Sequence, residues 1–150
     1  MISIIARQLG CKETRMAVVL DLIDQLKINK ELAFETDTNN DTLLHYAVKY
    51  DGTSHLIEEL VKCGVHLKSK NKQGNTALHI AAAHSIQNAA LLMQLGARDN
   101  VINNDALLPE DIFHQTFKNQ SWFDIMPTPK IIFKGSRYEI IPSQNHANVR

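Results

Sequence analysis

The sequence predicts a mostly α-helical solenoid of stacked helix-turn-helix units, and three observations predict it. The phrase Gly74–Ala82, GNTALHIAA, has counterparts at Asn40–Val48, NDTLLHYAV, and at Ala106–His114, ALLPEDIFH. Their starts at 40, 74 and 106 lie 34 and 32 residues apart, and a period of about 20–50 residues marks a stacked array. The first two phrases are each followed by a second segment of helical period that a glycine closes, Gly64 and Gly96. Polar, turn-rich stretches precede all three: TDTNN at 36–40, NKQG at 71–74 and NND at 103–105.

Residues 1–36 are read as an N-terminal capping unit. Ser3 can cap a short helix carrying Ile4, Ile5 and Leu9, with Gly10 ending it in the left-handed conformation. Thr14 opens a longer helix of about three turns, on which Val18, Val19, Leu22, Ile23 and Leu26 form one apolar stripe. A repeat unit follows at 37–70. Asp41 or Thr42 caps its first helix, which runs to about Tyr50 with Leu43, Leu44, Ala47 and Val48 inward. Asp51-Gly52-Thr53-Ser54 turns the chain into a second helix, with Leu56, Ile57, Leu60 and Val61 inward and Glu58, Glu59 and Lys62 outward.

The next unit, 71–102, is built the same way. Thr76 caps the helix bearing Leu78, Ile80, Ala81 and Ala82, and Ser85 caps its partner. The unit at 103–126 is degenerate: Pro109 stands at a first helical position, where its missing N–H costs nothing, and Trp122, Phe123 and Ile125 fill a segment too short for a full second helix. Trp122 and Phe123 are read as a cover for the end of the array rather than as a binding hot spot. Pro127 and Pro129 close that segment. The extension 127–150 changes character, with two β-prone runs at 130–142 around Lys134-Gly135-Ser136 that signal a hairpin.

GNTALHIAA followed by LLMQLGA closely resembles the ankyrin repeat, whose hallmark is a Thr-Pro-Leu-His-x-Ala phrase. Thr76, Leu78, His79, Ala81, Ala82, Gly96 and Ala97 fall on family positions, as do Thr42, Leu44, His45, Ala47 and Gly64. Leu43 and Ala77 depart from the usual proline, and Asn40 takes a glycine position that asparagine tolerates in the left-handed region. His45 to Gly64 spans nineteen residues and His79 to Gly96 seventeen, so the earlier unit needs a longer inter-helix turn, Lys49 to Ser54. Phe113 replaces a small alanine and should end the stacking. The resemblance implies that His45 and His79 join the helix start to the neighbouring loop by hydrogen bonds.

Little in the chain suggests catalysis. Sixteen Lys and Arg balance sixteen Asp and Glu, so no net charge draws the protein to nucleic acid or an anionic membrane. Lys68, Lys70 and Lys72 read as a solvated loop. The two cysteines, Cys11 and Cys63, make neither a disulfide framework nor a zinc site, and no pair of the seven histidines has zinc-ligand spacing. Neither a nucleophile–base pair nor a phosphate-binding glycine loop is present, and Glu58, Glu59, Glu110 and Asp111 read as solvated or capping carboxylates. The expectation is a non-enzyme without metal or cofactor. The N-terminus MISIIARQLG is interrupted by Arg7, and no run of about 18 apolar residues occurs, so a cytoplasmic protein without membrane insertion is expected.

Ankyrin arrays bind proteins through a concave face of loop tips and first helices. The resemblance therefore implies three groups of contact positions: Thr38, Asn39, Asp41, Lys49 and Tyr50; Lys72, Gln73, Asn75, Ala83 and His84; and Asn104, Asp105, Leu107, Gln115 and Thr116. Tyr50 is the expected anchor, because a tyrosine supplies area at little entropic cost. The implied function is that of a small adaptor or inhibitor, monomeric when free, which binds another protein, including as a bacterial or viral effector acting in a host's cytoplasm or nucleus. Two alternatives stand beside it. One is a regulatory or targeting subunit of an enzyme or transcription complex acting through the C-terminal extension. The other is a self-associating structural protein that uses the extension's edge strand.

Overall fold

A computed structural model of the chain describes residues 2–126, 130–134 and 137–141. The helices in order are α1 (Ile2–Gly10), α2 (Arg15–Ile28), α3 (Leu43–Ala47), α4 (Ser54–Lys62), α5 (Ala77–His84), α6 (Ile86–Gln94), α7 (Pro109–Thr116) and α8 (Trp122–Ile125). A 3-10 helix, Lys30–Phe34, follows α2, and β1 (Lys130–Lys134) pairs antiparallel with β2 (Arg137–Ile141). Each odd-numbered helix packs on the even-numbered helix that follows it, and α1, α3, α5 and α7 form a continuous row. Leu9, Leu22, Leu26, Leu44, Leu56, Ile57, Leu60, Leu78, Ala81, Leu92 and Phe113 are buried in one core that runs through the stack.

Local chemistry fixes the starts of the first helices. Thr42 Oγ1 accepts the His45 N–H at 3.4 Å while His45 Nδ1 accepts the Thr42 N–H at 3.1 Å, a reciprocal capping box. Thr76 and His79 repeat it with the same two distances. In the third phrase Asp111 accepts the Leu108 N–H at 2.9 Å, but leucine offers no acceptor in return, so half the box is lost. Asn40, Gly74 and Ala106 occupy the same turn position with φ of 62°, 77° and 62°. Gly64 and Gly96 end α4 and α6 at φ of 95° and 105°, as the sequence predicts.

Several boundaries differ from the sequence reading. Helix α1 already includes Ser3, which is not its cap, and Gly10 is its last residue without a positive φ. Helix α2 is longer than three turns, with 14 residues. Helix α3 stops at Ala47 instead of reaching Tyr50. Side chains take over the carbonyls that further turns would have used: Thr53 Oγ1 donates to Ala47 at 2.7 Å and Tyr50 at 2.8 Å, and Asn88 Nδ2 donates to Val48 at 3.0 Å and Tyr50 at 2.9 Å. Val61, expected inward, is only half-buried.

The C-terminal end of the stack is sealed by aromatic rings. Phe113 is fully buried, with the Trp122 ring edge-on to it at 5.2 Å between centroids and Phe117 also at 5.2 Å. Trp122 Nε1 donates to the Asp99 carboxylate at 3.2 Å, so its polar edge is satisfied as its apolar body is buried. The two-stranded sheet has the register Lys130↔Ile141, Ile132↔Glu139 and Lys134↔Arg137, with Ile131↔Ile140 and Phe133↔Tyr138 between. Pro127, Pro129, the Gly135-Ser136 turn and Pro142 lie outside the described residues.

Candidate partner-binding face

The loops before α3, α5 and α7 are built on one template. Asp37, Asn71 and Asn103, each three residues before a repeated phrase, hold their loops closed through the side-chain oxygen. Asp37 Oδ1 accepts the N–H groups of Asn39 and Asp41 at 2.9 Å, Asn71 Oδ1 those of Gln73 and Asn75 at 3.0 Å, and Asn103 Oδ1 those of Asp105 and Leu107 at 2.9 and 3.0 Å. The loops are then laced to each other. Lys72 N–H donates to the Asn39 carbonyl at 2.9 Å, and Asn104 N–H to that of Gln73 at 3.0 Å. Asn71 Nδ2 donates to Asp41 and Asn103 Nδ2 to Asn75 Oδ1, both at 2.8 Å. His45 Nε2 reaches the Asn75 carbonyl at 3.1 Å and His79 Nε2 that of Leu107 at 3.0 Å. The two histidines are thus structural, as the family resemblance implies.

This ladder sorts the expected contact residues. Thr38, Asn39, Lys72, Gln73, Asn104 and Asp105 are exposed at successive tips, although the Asn104 side chain also donates to the Lys72 carbonyl at 2.8 Å. His84, Gln115 and Thr116 are exposed at the ends of first helices, with Ala83 half-buried beside them. Asp41 is a correction: it is buried, and its carboxylate is committed to Asn71. Asn75 is committed likewise, through its side chain to Asn103 and its carbonyl to His45. Leu107 is half-buried and contributes its carbonyl to His79. Tyr50 is also corrected. It is half-buried, and the Arg15 guanidinium covers one face of its ring at 4.8 Å, so only part of its area is left for a partner. Lys49 Nζ lies 5.1 Å from the Tyr46 ring centre.

The titratable groups follow from burial and the ladder. Burial pushes His45 and His79 below the ordinary imidazole range, against the opposing pull of hydrogen bonds to Asn75 and Leu107. Desolvation lowers His84 as well, with the Lys49 charge adding to it. Burial would raise Asp37, but hydrogen bonds from Tyr46 Oη and from the Asp41 and Asn39 N–H groups outweigh it and lower its pKa. Burial and the same Asp37 contact push the Tyr46 phenol up. The carboxylates of Asp37 and Asp41 are therefore committed within the ladder, while Lys72 and Asp105 stand exposed at the tips.

Among the described residues, no group of three or more His, Cys, Asp and Glu could hold a metal ion, and no helix is long and apolar enough to cross a membrane. Cys11 is exposed and Cys63 half-buried, both as free thiols. Asn88 and Arg15 escape sequence reading. Asn88 shows only as one polar residue on the inner side of an apolar helix, and Arg15 only as a charge at a helix start. Asp37, Asn71 and Asn103 read as turn formers, and their fixed offset from the phrase was the available signal of more.

A family model of ankyrin repeats, in three copies, matches residues 15–103. The chain belongs to the ankyrin-repeat family. This match takes in α2, so the ankyrin pattern reaches into the N-terminal unit that lacks the phrase. The chain is 33% identical over 112 residues to the poly [ADP-ribose] polymerase tankyrase of Caenorhabditis elegans, covering 75% of this chain and 4% of that protein. It is 35% identical over 77 residues to protein phosphatase 1 regulatory subunit 27 of Mus musculus, covering 51% of this chain and 49% of that protein. The chain thus spans half or less of these relatives' own lengths. Ankyrin repeats are protein–protein interaction modules and generally non-catalytic.

Proposed function

We propose that this ankyrin protein is a binding subunit that regulates a partner protein by occupying its surface across the loop tips and the adjoining ends of α3, α5 and α7. The observation that carries the reading is the loop ladder. It rigidifies three tips through buried bonds and leaves Thr38, Lys72, Gln73 and Asp105 exposed on them. Rigid tips bind with little ordering cost, which is what a small recognition surface needs. The match to a phosphatase regulatory subunit supports a regulatory version. No residue in the described part favours an effector role in a host cell over it. A cytoplasmic site of action belongs to the same proposal, supported by two cysteines that remain free thiols.

The test is affinity capture from the native lysate with the full chain and with a Lys72→Glu, Gln73→Ala, His84→Ala variant of unchanged melting temperature. The variant should lose the partner captured by the parent chain. Retention of that partner by the variant, with loss on deleting 127–150, would move the binding site to the extension.

A further inference from the structure

The turn between α3 and α4 is held from the units on both sides of it. Arg15, at the start of α2, donates from Nε to the Leu9 carbonyl at 2.7 Å and from Nη1 to the Asp51 carbonyl at 3.3 Å. Its guanidinium lies on the Tyr50 ring, whose hydroxyl is packed close to Gly10 at the end of α1. From the following unit Ser85 Oγ donates to the Asp51 carboxylate at 2.7 Å, and Asn88 takes the Tyr50 carbonyl. Residues 49–53 are therefore fixed before any partner arrives.

Cations gather at this turn without paired acids. Arg15 and Lys49 are half-buried, and neither joins an ion pair among the described residues. Arg15 Nη2 donates to no described residue, so part of a fixed guanidinium fork stays open. Lys49 Nζ lies over the Tyr46 ring. Burial lowers the exposed-edge imidazole of His84, and the Lys49 charge lowers it further, which places the two cationic groups within each other's field. Two acids stand close in the chain. Glu13 accepts from Cys11 Sγ and Asp51 from Ser85, so both are held by neutral donors. Backbone hydrogen bonding chiefly lowers the Glu13 carboxyl, and the Arg15 charge contributes least.

A cation that is already ordered gains more from an anion than a free one, because its side-chain freedom is spent beforehand. An arginine fork meets a carboxylate through charge-assisted N–H bonds, and crowded like charges are relieved by a negative neighbour. We infer that Arg15, Lys49 and His84, beside the fixed turn, form a recognition patch for the side-chain carboxylates of an acidic segment in the partner protein. This inference rests on the reading of the chain as a partner-binding subunit, and gives the partner a charge.

The experiment is proton–nitrogen correlation NMR on the full chain, titrated with an acetylated tetraglutamate amide. The matching tetraglutamine amide and inorganic phosphate are the controls. Tetraglutamate should shift the Arg15 Nε–H and the amides of 49–51 and 84 along one saturating curve, and should raise the His84 imidazole pKa. Tetraglutamine should shift none of them. Lys49→Gln, at unchanged melting temperature, should weaken tetraglutamate binding about threefold to fivefold. An unmoved His84, a response confined to 68–72, equal binding by Lys49→Gln, or tighter binding of phosphate than of tetraglutamate would each overturn the inference. Lysate capture separates the patch from the loop tips. If a Lys72→Glu, Gln73→Ala chain loses the partner and Lys49→Gln keeps it undiminished, the tips stand as the binding site and the carboxylate patch falls.

Discussion

His79 Nε2 donates to the carbonyl of Leu107, twenty-eight residues further along the chain, at 3.0 Å, and Nδ1 of the same ring accepts the Thr76 N–H at 3.1 Å. One neutral imidazole, protonated on Nε2, thereby caps its own helix and clasps the next loop. His45 does the same between Thr42 and Asn75. A second proton on Nδ1 would face an N–H donor and break both boxes.

This sets a pH dependence. Burial lowers both histidines below their ordinary value of 6.5, so the unfolded chain binds more protons in the window beneath it. The stability is therefore complete above about pH 6.5 and declines as pH falls from there toward the lowered folded values. Asp41 and Asp37 oppose the shift at His45 and Lys70 adds to it at His79, while Asp37, itself lowered, acts in a separate window below its ordinary 3.8. Urea midpoints between pH 7.5 and 5 should fall for the parent, and fall less steeply for a His45→Gln, His79→Gln chain. Parallel slopes would show that these rings do not carry the effect.

Gly74 and Gly96 should respond differently to alanine. Both have positive φ, but a Cβ at Gly74 would lie 2.5 Å from Asn104 Oδ1 and 2.8 Å from its backbone nitrogen, whereas one at Gly96 meets nothing within 4 Å. Gly96→Ala should cost about 1 kcal/mol for the left-handed conformation alone. Gly74→Ala should cost measurably more in the same denaturation assay, and Gly74→Val more again, because the adjacent loop must also move. Equal losses would contradict this inter-loop contact.

Ala106 occupies the same turn position as Gly74 at φ 62°. Ala106→Gly should raise stability by about 0.5–1 kcal/mol, the relief of left-handed strain less the added freedom of the unfolded chain. A lower urea midpoint would mean that the alanine methyl contributes packing that outweighs its strain.

Asn88 is buried, and its amide satisfies the Val48 and Tyr50 carbonyls at the end of α3. Asn88→Ala should cost about 2 kcal/mol, chiefly from the buried Val48 carbonyl, since Tyr50 retains Thr53. Hydrogen exchange should show faster opening of 47–54 ahead of other loops.

Trp122→Ala should cost about 3 kcal/mol by uncovering Phe113 and leaving a cavity at the C-terminal end. The variant should bind a hydrophobic dye that the parent does not. A loss below about 1 kcal/mol would show that Phe117 alone suffices as the seal.

The sequence by itself determined what depends on near neighbours. The repeat period, the Thr42 and Thr76 caps and the left-handed positions at Asn40, Gly64 and Gly96 all follow from interactions within a few residues. Tertiary structure decided which polar groups remain available. Asp41 and Asn75 look like free loop residues, yet their partners, Asn71 and Asn103, lie 30 and 28 residues away. Tyr50 looks like an anchor until Arg15, from a helix with no repeat phrase, covers its ring. A local pattern reports backbone conformation and one buried stripe. The fate of a polar side chain depends on what the stacking places opposite it, which decides which loop groups stay exposed.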